Sequence, residues 1–388
     1  MLIHSMEFEN YTTGQKIKKI TFDKLNLLVG CSGAGKTQIL KTLSSYIVTA
    51  SRDPVISSIQ FEGYFKLEFS MFLPKINDDD DFKEREVSWE IRTEKMENIV
   101  SEPYRLAYGV SAELLFIDGE EVIHRTKDTL LIGKEKNATI SPEQSAISVF
   151  KVPKAVSYIS VGLFSVVSYY YQMSALNDVA KTEVEQIRNR IARLSKANYF
   201  SSKVPIQAFF TFYSGLMQID LVKKYDQFLF DKFLSRLQDV FPSIEDLKID
   251  FLDNTNYYTL FIKENNKWIP KESISSGMLK SIYILVAISF NLGNTVVLLD
   301  ELENSLGVNC LDEITDYIVD EAEGNTQFIL TSHHPYIINH IPERYWRIVS
   351  QNNGIISSQK ANDVGIGTVG NRQDKFFQLI NYMQRQSL

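Results

Sequence analysis

Residues 30–37 of the chain have the sequence Gly30-Cys31-Ser32-Gly33-Ala34-Gly35-Lys36-Thr37. This octapeptide carries the required residue at every fixed position of the pattern G-x-x-x-x-G-K-[ST]. An apolar run, residues 25–29, precedes it, and the residues from about Gly35 to Val48 are predicted to form a helix. Glycines let the backbone fold around phosphate oxygens, and the first turn of a helix adds the positive end of its dipole. The sequence therefore predicts a strand, a phosphate-binding loop (Walker A) and a helix.

Two side chains of this loop have predicted chemical roles. Lys36 is placed to reach the β- and γ-phosphates of a nucleotide, and the hydroxyl of Thr37 is placed to bind Mg²⁺. The predicted nucleotide-binding residues of this segment are Gly30, Ser32, Gly33, Ala34, Gly35, Lys36, Thr37 and Gln38.

A second apolar run, far along the chain, ends in two acids. Residues 296–301 are Val-Val-Leu-Leu-Asp-Glu, a pattern typical of a buried parallel strand (Walker B). In a chain that also has a phosphate loop, Asp300 would hold Mg²⁺ through a water molecule. Glu301 would orient or deprotonate the attacking water. Since Lys36 and Asp300 lie so far apart, a large insertion must separate the two halves of one nucleotide site.

Three further segments resemble motifs of a known family. The segment Ile274-Ser275-Ser276-Gly277-Met278 is similar to the ABC-type signature, with Ser275 and Gly277 at the positions of its serine and second glycine. Residues 300–306 (DELENSL) resemble the D-E-x-E-N-G-L run of RecF/OLD-like ATPases. Residues 330–335 (LTSHHP) resemble their T-T-H-S-P switch, with the switch histidine at His333. The chain therefore resembles the ABC-type AAA-family ATPases of the RecF, OLD and SMC-head group (AAA15/AAA21-like), including ATPase subunits of Septu and PARIS phage-defence systems.

The resemblance implies an ATPase that uses ATP and Mg²⁺, with Glu301 and His333 as catalytic residues. It also implies that Ser275 and Gly277 act in trans on the nucleotide of a second copy. Two ATP molecules would then join two heads in a homodimer or a higher oligomer. A plain helix N-cap is the alternative for Ser275, and a core histidine at a strand end is the alternative for His333.

The match to the family is incomplete at two places. Ser305 stands where the family usually has glycine, and Gly307 where it usually has histidine, which puts the behaviour of the dimer-contact loop in doubt. Gln144 is the candidate for the glutamine that contacts Mg²⁺ and bridges two lobes, and a surface glutamine is the alternative.

Patterns along the whole chain predict an α/β fold. We expect an ABC-ATPase-like P-loop head with a mixed central sheet, an antiparallel β subdomain and a helical insertion. Residues 1–141 would form the N-terminal half of the head with the phosphate loop and a β-meander. Residues 142–241 would form the helical lobe, and residues 242–388 the C-terminal half with the signature, the acidic strand and the switch histidine.

Composition limits the class of protein. The 388 residues are 44% hydrophobic and 23% charged, which excludes a disordered, collagen-like or disulfide-stapled chain. The net charge of −7 argues against a surface that binds nucleic acid all over, although a local basic face is compatible with it. The two cysteines, Cys31 and Cys310, indicate a reducing compartment, and no secretory signal is visible. We therefore expect a cytoplasmic protein.

Two segments of the helical region bear on partners. Residues 155–177 carry no charge and are long enough to cross a bilayer, but their serines and tyrosines favour a buried helix, so we expect no membrane contact. One predicted helix carries a basic cluster of Arg188, Arg190, Arg193 and Lys196. This cluster would receive DNA or an acidic partner, or would be an ordinary solvated helix face.

The favoured hypothesis is an ATPase that dimerises on ATP and regulates a separate effector, a nuclease or toxin, in phage defence. OLD nucleases carry a Toprim domain after the ATPase, and the segment after Pro335 is too short for one, so we expect the cutting or toxic activity to lie in another protein. The alternative is a RecF-like clamp that closes over DNA in repair. A third, transporter-type hypothesis depends on the uncharged segment alone.

Overall fold

The computed structural model describes residues 1–51, 61–76, 78–95, 108–133, 135–137, 140–150, 153–164, 166–168, 178–196, 215–252, 255–290, 295–366 and 370–386. The chain divides into two compact units. The first contains Met1–Val166, Leu298–Asp300 and Gln327–Leu388, and the second contains Val167–Val297 and Glu301–Thr326. These boundaries differ from the predicted cuts after residues 141 and 241, which stay a prediction.

A large mixed sheet forms the first unit. Its strands are β1 (Leu2–Asn10), β2 (Lys16–Thr21), β3 (Leu25–Val29), β4 (Gly63–Lys75), β5 (Asp78–Lys95), β6 (Tyr108–Ile117), β7 (Glu120–Arg125), β8 (Leu130–Ile132), β9 (Glu135–Asn137), β15 (Val296–Leu299, where the unit boundary falls), β16 (Gln327–Thr331), β17 (Trp346–Asn352) and β18 (Ile355–Lys360). Their spatial order is β15-β16-β3-β17-β18-β2-β1-β4-β5-β6-β7-β8-β9.

One end of this sheet is parallel around β3. Strand β3 lies between β16 and β17 and pairs with both in parallel, with Leu25 opposite Phe328 and Leu27 opposite Trp346. All five residues of β3 and all four of β15 are buried. A strand covered on both faces needs apolar side chains on both, so the two continuous apolar runs correctly predicted buried strands. The strand order places β15 near one end of the sheet and not at its centre.

The other end of the sheet is antiparallel. Strands β4 to β9 pair with their neighbours in chain order, as a meander. The turn between β6 and β7 has Asp118 at φ 50° and Gly119 at φ 80°. Two successive positive φ values define the hairpin turn whose twist matches that of the strands. The predicted mixed sheet with an antiparallel β subdomain is confirmed.

Five helices occur in the described part of the first unit: α1 (Lys36–Ser51), α2 (Ala146–Val149), α3 (Lys154–Phe164), α9 (Pro335–His340) and α10 (Arg372–Gln386). Helices α2 and α3 pack against α1. Tyr46 of α1 stacks on Phe65 of β4 with ring centroids 4.2 Å apart, and Phe65 meets Trp89 of β5 edge to face. The helix that follows the phosphate loop is therefore held by an aromatic core on the meander.

The second unit contains β10 (Val167–Ser168), β11 (Val179–Ala180), α4 (Lys181–Lys196), α5 (Gly215–Tyr225), α6 (Gln227–Val240), β12 (Ile244–Phe251), β13 (Tyr257–Glu264), β14 (Lys267–Pro270), α7 (Ser276–Ser289) and α8 (Val308–Glu323). Strand β13 pairs antiparallel with β11, β12 and β14 in a small separate sheet. An aromatic cluster in the second unit contains Phe230 and Phe233 of α6 and Phe290, which follows α7. Short 3₁₀ helices lie at Lys271–Ser273, Glu343–Tyr345 and Ala361–Val364.

The predicted basic cluster is partly used inside the second unit. Arg188 donates two hydrogen bonds to Asp220, of 2.9 and 2.6 Å, and its guanidinium lies 5.0 Å from the ring centre of Tyr258. Arg190 and Arg193 are exposed, and the side chain of Lys196 lies outside the described residues. Arg188 therefore joins α4 to α5 and β13, which reduces the basic face that is available to a partner.

The uncharged segment is described in part. Residues 155–164 belong to α3, and most of residues 165–177 lie outside the described part of the chain. Among the helices of the residues that the structure describes, none is both long and apolar enough to cross a membrane.

A buried carboxylate joins the meander to α2. Glu113 of β6 is fully buried and accepts hydrogen bonds from Trp89 Nε1 (3.0 Å), Ser145 Oγ (2.5 Å) and the backbone N–H of Ala146 (2.7 Å). Carboxylates are tolerated in the core when such donors surround them. Glu113 therefore fixes the start of α2 to β5 and β6.

We predict that Glu113→Ala lowers the free energy of unfolding by about 3 kcal/mol, because three buried donors lose their acceptor. Urea denaturation measures the change. The control is Glu86→Ala, since the Glu86 side chain is 72% exposed and surface changes stay within about 0.5 kcal/mol. Equal losses in the two variants would show that the buried network does not stabilise the fold.

Candidate nucleotide-binding site

The loop between β3 and α1 has the backbone that its glycines predict. Gly35 has φ +94°, and a Cβ atom there would lie 2.4 Å from Ile356 Cδ1. Both the conformation and the lack of space require glycine. The loop turns sharply at this point and delivers Lys36 to the first turn of α1.

Lys36 lies inside the loop. Its side chain is buried, and Nζ donates to the backbone carbonyls of Gly30 (2.8 Å) and Cys31 (3.0 Å). An ammonium group thus sits within the turn at the start of a 16-residue helix. A cation and the positive end of a helix dipole both attract an anion, so this loop has the electrostatics of a phosphate site.

Asp300 brings three distant segments together. Its Oδ1 accepts a hydrogen bond from Thr37 Oγ1 (3.1 Å) at the start of α1 and from Thr331 Oγ1 (2.7 Å) at the end of β16. The predicted metal residues Thr37 and Asp300 are therefore adjacent. Carboxylate and hydroxyl oxygens are the hard ligands that Mg²⁺ prefers, so this donor set fits the ion. Thr331 belongs to the predicted switch motif, and its contact with Asp300 was not predicted.

The two histidines of the switch segment have different environments. His334 caps α9, because its Nδ1 accepts a hydrogen bond from the backbone N–H of Tyr336 at 3.3 Å. The backbone N–H of His334 donates to Ser332 Oγ at 3.0 Å. His333 is exposed directly after β16. The capping role thus belongs to His334, and His333 is exposed at the end of the strand. Its contact with the γ-phosphate stays a prediction.

Gln144 lies in the turn before α2. Its backbone carbonyl accepts from Arg125 Nη1 (2.5 Å), and Arg125 Nη2 donates to the carbonyl of Ser141 (3.1 Å). Arg125 is buried, so it holds this turn firmly. The described contacts fix the backbone of Gln144, and the proposed contact of its side chain with Mg²⁺ stays a prediction.

Glu301 and Ser305 have unusual backbones. Glu301 is exposed with φ +47°, and Ser305 has φ +65°. Residues with a Cβ atom adopt this left-handed region at a cost of about 1–2 kcal/mol. The conformation at Ser305 gives the physical reason why glycine suits this position better than serine.

The signature segment begins α7. Ser275 is the N-cap, and its Oγ accepts from the Met278 N–H at 3.2 Å. The N-cap interpretation is therefore correct for the local structure, and the role in trans stays a prediction. A Cβ atom on Gly277 would lie 2.5 Å from the carbonyl oxygen of Ser305, so the first turn of α7 touches the backbone of the loop after Glu301.

Lys280 is not among the residues that the sequence motifs predicted for the site. This side chain is buried and donates from Nζ to the carbonyls of Glu301 (2.9 Å) and Asn304 (2.5 Å). The sequence does set this residue apart, because Lys280 is the one charged residue in α7. A lone charge in an apolar helix requires a polar partner nearby.

Comparisons with known proteins bear on the family and the fold of this chain. The model of a family described as "AAA domain, putative AbiEii toxin, Type IV TA system" matches residues 25–339. The structure of the SmcHead bound to the C-winged helix domain of ScpA has a TM-score of 0.55 and 12% identity, and the match covers 94% of this chain and all of that chain. A second structure is an Smc head domain with an extended coiled coil, bound to the C-terminal domain of ScpA and derived from Pyrococcus furiosus. It has a TM-score of 0.49 and 13% identity, and the match covers 94% of this chain and 97% of that chain. The SMC head domain from Thermotoga maritima has a TM-score of 0.42 and 12% identity, and the match covers 93% of this chain and 99% of that chain. A search of curated proteins gives no match.

The family match and the loop together define an ATPase domain of the AAA kind with a nucleotide-binding P-loop. Because the family model covers most of its length, the chain belongs to the AAA-domain family described as putative AbiEii toxin of the Type IV TA system. The likeness to the SmcHead, at 12% identity, concerns the fold. The resemblance found in the motifs is confirmed at this level.

Two substitutions separate nucleotide binding from hydrolysis. We predict that Lys36→Ala weakens ATP binding by about 100-fold, because the loop loses its buried cation. Glu301→Gln is expected to keep binding and to lower kcat by about 100-fold or more, because it removes a base without changing the size of the side chain. A fluorescent ATP analogue measures binding, and phosphate release measures turnover. Undiminished turnover in Glu301→Gln would remove Glu301 from the catalytic role.

The strain at Ser305 is also testable. We predict that Ser305→Gly raises the free energy of unfolding by about 1 kcal/mol, because glycine adopts a positive φ without a Cβ clash. Ser305→Ala is the control, since it removes the hydroxyl and keeps the strain. Urea denaturation of both variants against the parent protein gives the comparison. A gain in the alanine variant as large as in the glycine variant would contradict a backbone origin.

Proposed function

We propose that this chain is an ATP-hydrolysing ABC-type ATPase that dimerises on ATP and regulates a separate effector protein, a nuclease or toxin, in phage defence. The observation that carries the catalytic part is the convergence of Thr37 and Thr331 on Asp300 beside the phosphate loop. Three chain segments supply these groups, as a site for a nucleotide with its metal requires.

Each residue of the site has a separate role in the proposed hydrolysis. Lys36 and the loop backbone bind and orient the phosphates, and Thr37 with Asp300 would hold Mg²⁺, which neutralises phosphate charge when bound. Glu301 accepts a proton from the attacking water, and His333 donates a hydrogen bond to the γ-phosphate as negative charge develops on it. Gln144 would add a further metal contact from the turn that Arg125 fixes.

The position of the signature supports the proposed dimerisation. Ser275 and Gly277 lie in the first turn of a 14-residue helix, where a helix dipole favours an anion. The motif order supports a role on the nucleotide of a second copy. A two-fold dimer would then contain two composite sites, each with the phosphate loop of one copy and the signature of the other. ATP that binds the closed dimer more tightly than the open one shifts the population toward closure.

The effector part of the proposal has a different basis. The family description names a toxin of a toxin–antitoxin system, and the motif resemblance includes ATPase subunits of phage-defence systems. A DNA clamp is the second candidate, and the use of Arg188 within its own unit weakens the basic face on which it depended.

Mixing two inactive variants tests the composite site. Lys36→Ala removes the phosphate site of one copy, and Ser275→Arg removes the signature of the other. In a mixed dimer, one of the two sites combines an intact loop with an intact signature, so we predict that part of the ATPase activity returns. The measurement is phosphate release at fixed total protein across mixing ratios.

Each variant alone should be inactive, with circular dichroism showing that it is folded. Crosslinking or mass photometry shows whether the two variants associate. A mixture that associates and stays as inactive as either parent would exclude composite sites.

A further inference from the structure

Lys280 links two functional segments of the second unit. One segment is the signature turn at the start of α7, and the other is the loop that follows the acidic strand. Lys280 lies about one and a half turns into α7 from its N-cap Ser275. Its ammonium donates to the carbonyls of Glu301 and Asn304, at 2.9 and 2.5 Å.

A second contact joins the same two segments. The Cα of Gly277 lies so close to the carbonyl oxygen of Ser305 that a Cβ atom would approach to 2.5 Å. The first turns of α7 therefore bind two carbonyls of the loop, those of Glu301 and Asn304, and pack closely against a third, that of Ser305. Since α7 is rigid, a displacement of its N-terminus moves this loop as well.

The backbone of the loop requires such support. Glu301 and Ser305 both have positive φ values, and local sequence alone does not favour that conformation for either residue. Strained backbone persists where surrounding contacts determine it, and such strain is concentrated at functional sites. The two bonds from Lys280 are contacts of this kind, because one of them is made to Glu301 itself.

We propose that Lys280 is a positioning residue for Glu301 and that it couples the signature end of α7 to the catalytic carboxylate of the same chain. This inference rests on the proposed function. When the nucleotide of a second copy engages Ser275, α7 carries the engagement through Lys280 to the Glu301 backbone, which sets the carboxylate for water attack. Closure of the dimer would thereby activate hydrolysis in both copies.

The test compares Lys280→Met with a matched lysine. Methionine keeps the length of the side chain and removes the donors. Lys223 is the control, because its Nζ also donates to a carboxylate and a backbone carbonyl of the second unit, Asp246 and Leu247, both at 2.6 Å. We expect Lys280→Met to lower kcat at least tenfold with ATP affinity within twofold of the parent. Lys223→Met should change neither quantity by more than twofold.

A double variant separates positioning from general damage. If Lys280 acts through Glu301, then Lys280→Met lowers single-turnover hydrolysis in the parent and has no further effect in a Glu301→Gln background. An equal loss in both backgrounds would overturn the proposal, and so would unchanged kcat in Lys280→Met. If Lys280→Met does not fold, Lys280→Arg replaces it. Because arginine retains hydrogen-bond donors, we expect Lys280→Arg to keep more than half of the parent kcat. A tenfold loss of kcat in a folded Lys280→Arg variant would also overturn the coupling.

Different outcomes would reject the proposed ATPase function and the coupling through Lys280. Absence of ATP hydrolysis in the parent protein, or full activity in Glu301→Gln, would reject the ATPase assignment itself. Hydrolysis in the parent that depends on Glu301 and is unaffected by Lys280→Met would reject the coupling alone.

Discussion

The carboxylate of Asp300 is the point on which the candidate site depends. It accepts hydrogen bonds from Thr37 and Thr331, which lie at the start of α1 and the end of β16. Hydrogen bonds to a charged acceptor are about twice as strong as those between neutral groups. Because β15 ends at Leu299, Asp300 is the first residue that can leave the buried sheet and meet both hydroxyls. The order β15-β16-β3 makes this meeting possible, since β15 lies beside β16, and β16 pairs in parallel with β3.

Much of this arrangement could be predicted from the sequence because the signals are local. The apolar runs at residues 25–29 and 296–299 identify buried strands, and Gly35 of the loop has a backbone that other residues rarely adopt. The Asp118-Gly119 turn needs two positive φ values, which that dipeptide favours. In each case, the physical requirement acts on residues that are neighbours in the chain, so the residue pattern alone records it.

The contacts that sequence analysis missed join residues far apart in the chain. Glu113 meets Ser145, Arg188 meets Asp220, and Lys280 meets the carbonyl of Glu301. In the sequence, Arg188 belongs to a basic run, and a carboxylate in a strand such as Glu113 looks like an ordinary exposed acid. What decides their roles is burial, which forces each charge to find partners that the sequence pattern does not specify. Lys280 was the most visible of these, because its helix is otherwise without charge.

The departure of Ser305 from the glycine of related sequences can be understood in the same terms. Its left-handed backbone is compatible with serine only if neighbouring contacts compensate the steric cost. The loop has such contacts, since Lys280 binds two of its carbonyls and Gly277 leaves space for a third. A glycine at position 305 would give the loop more freedom in states where those contacts are broken. Serine disfavours the left-handed backbone, so the conformation of this loop depends on the contacts that α7 makes with it.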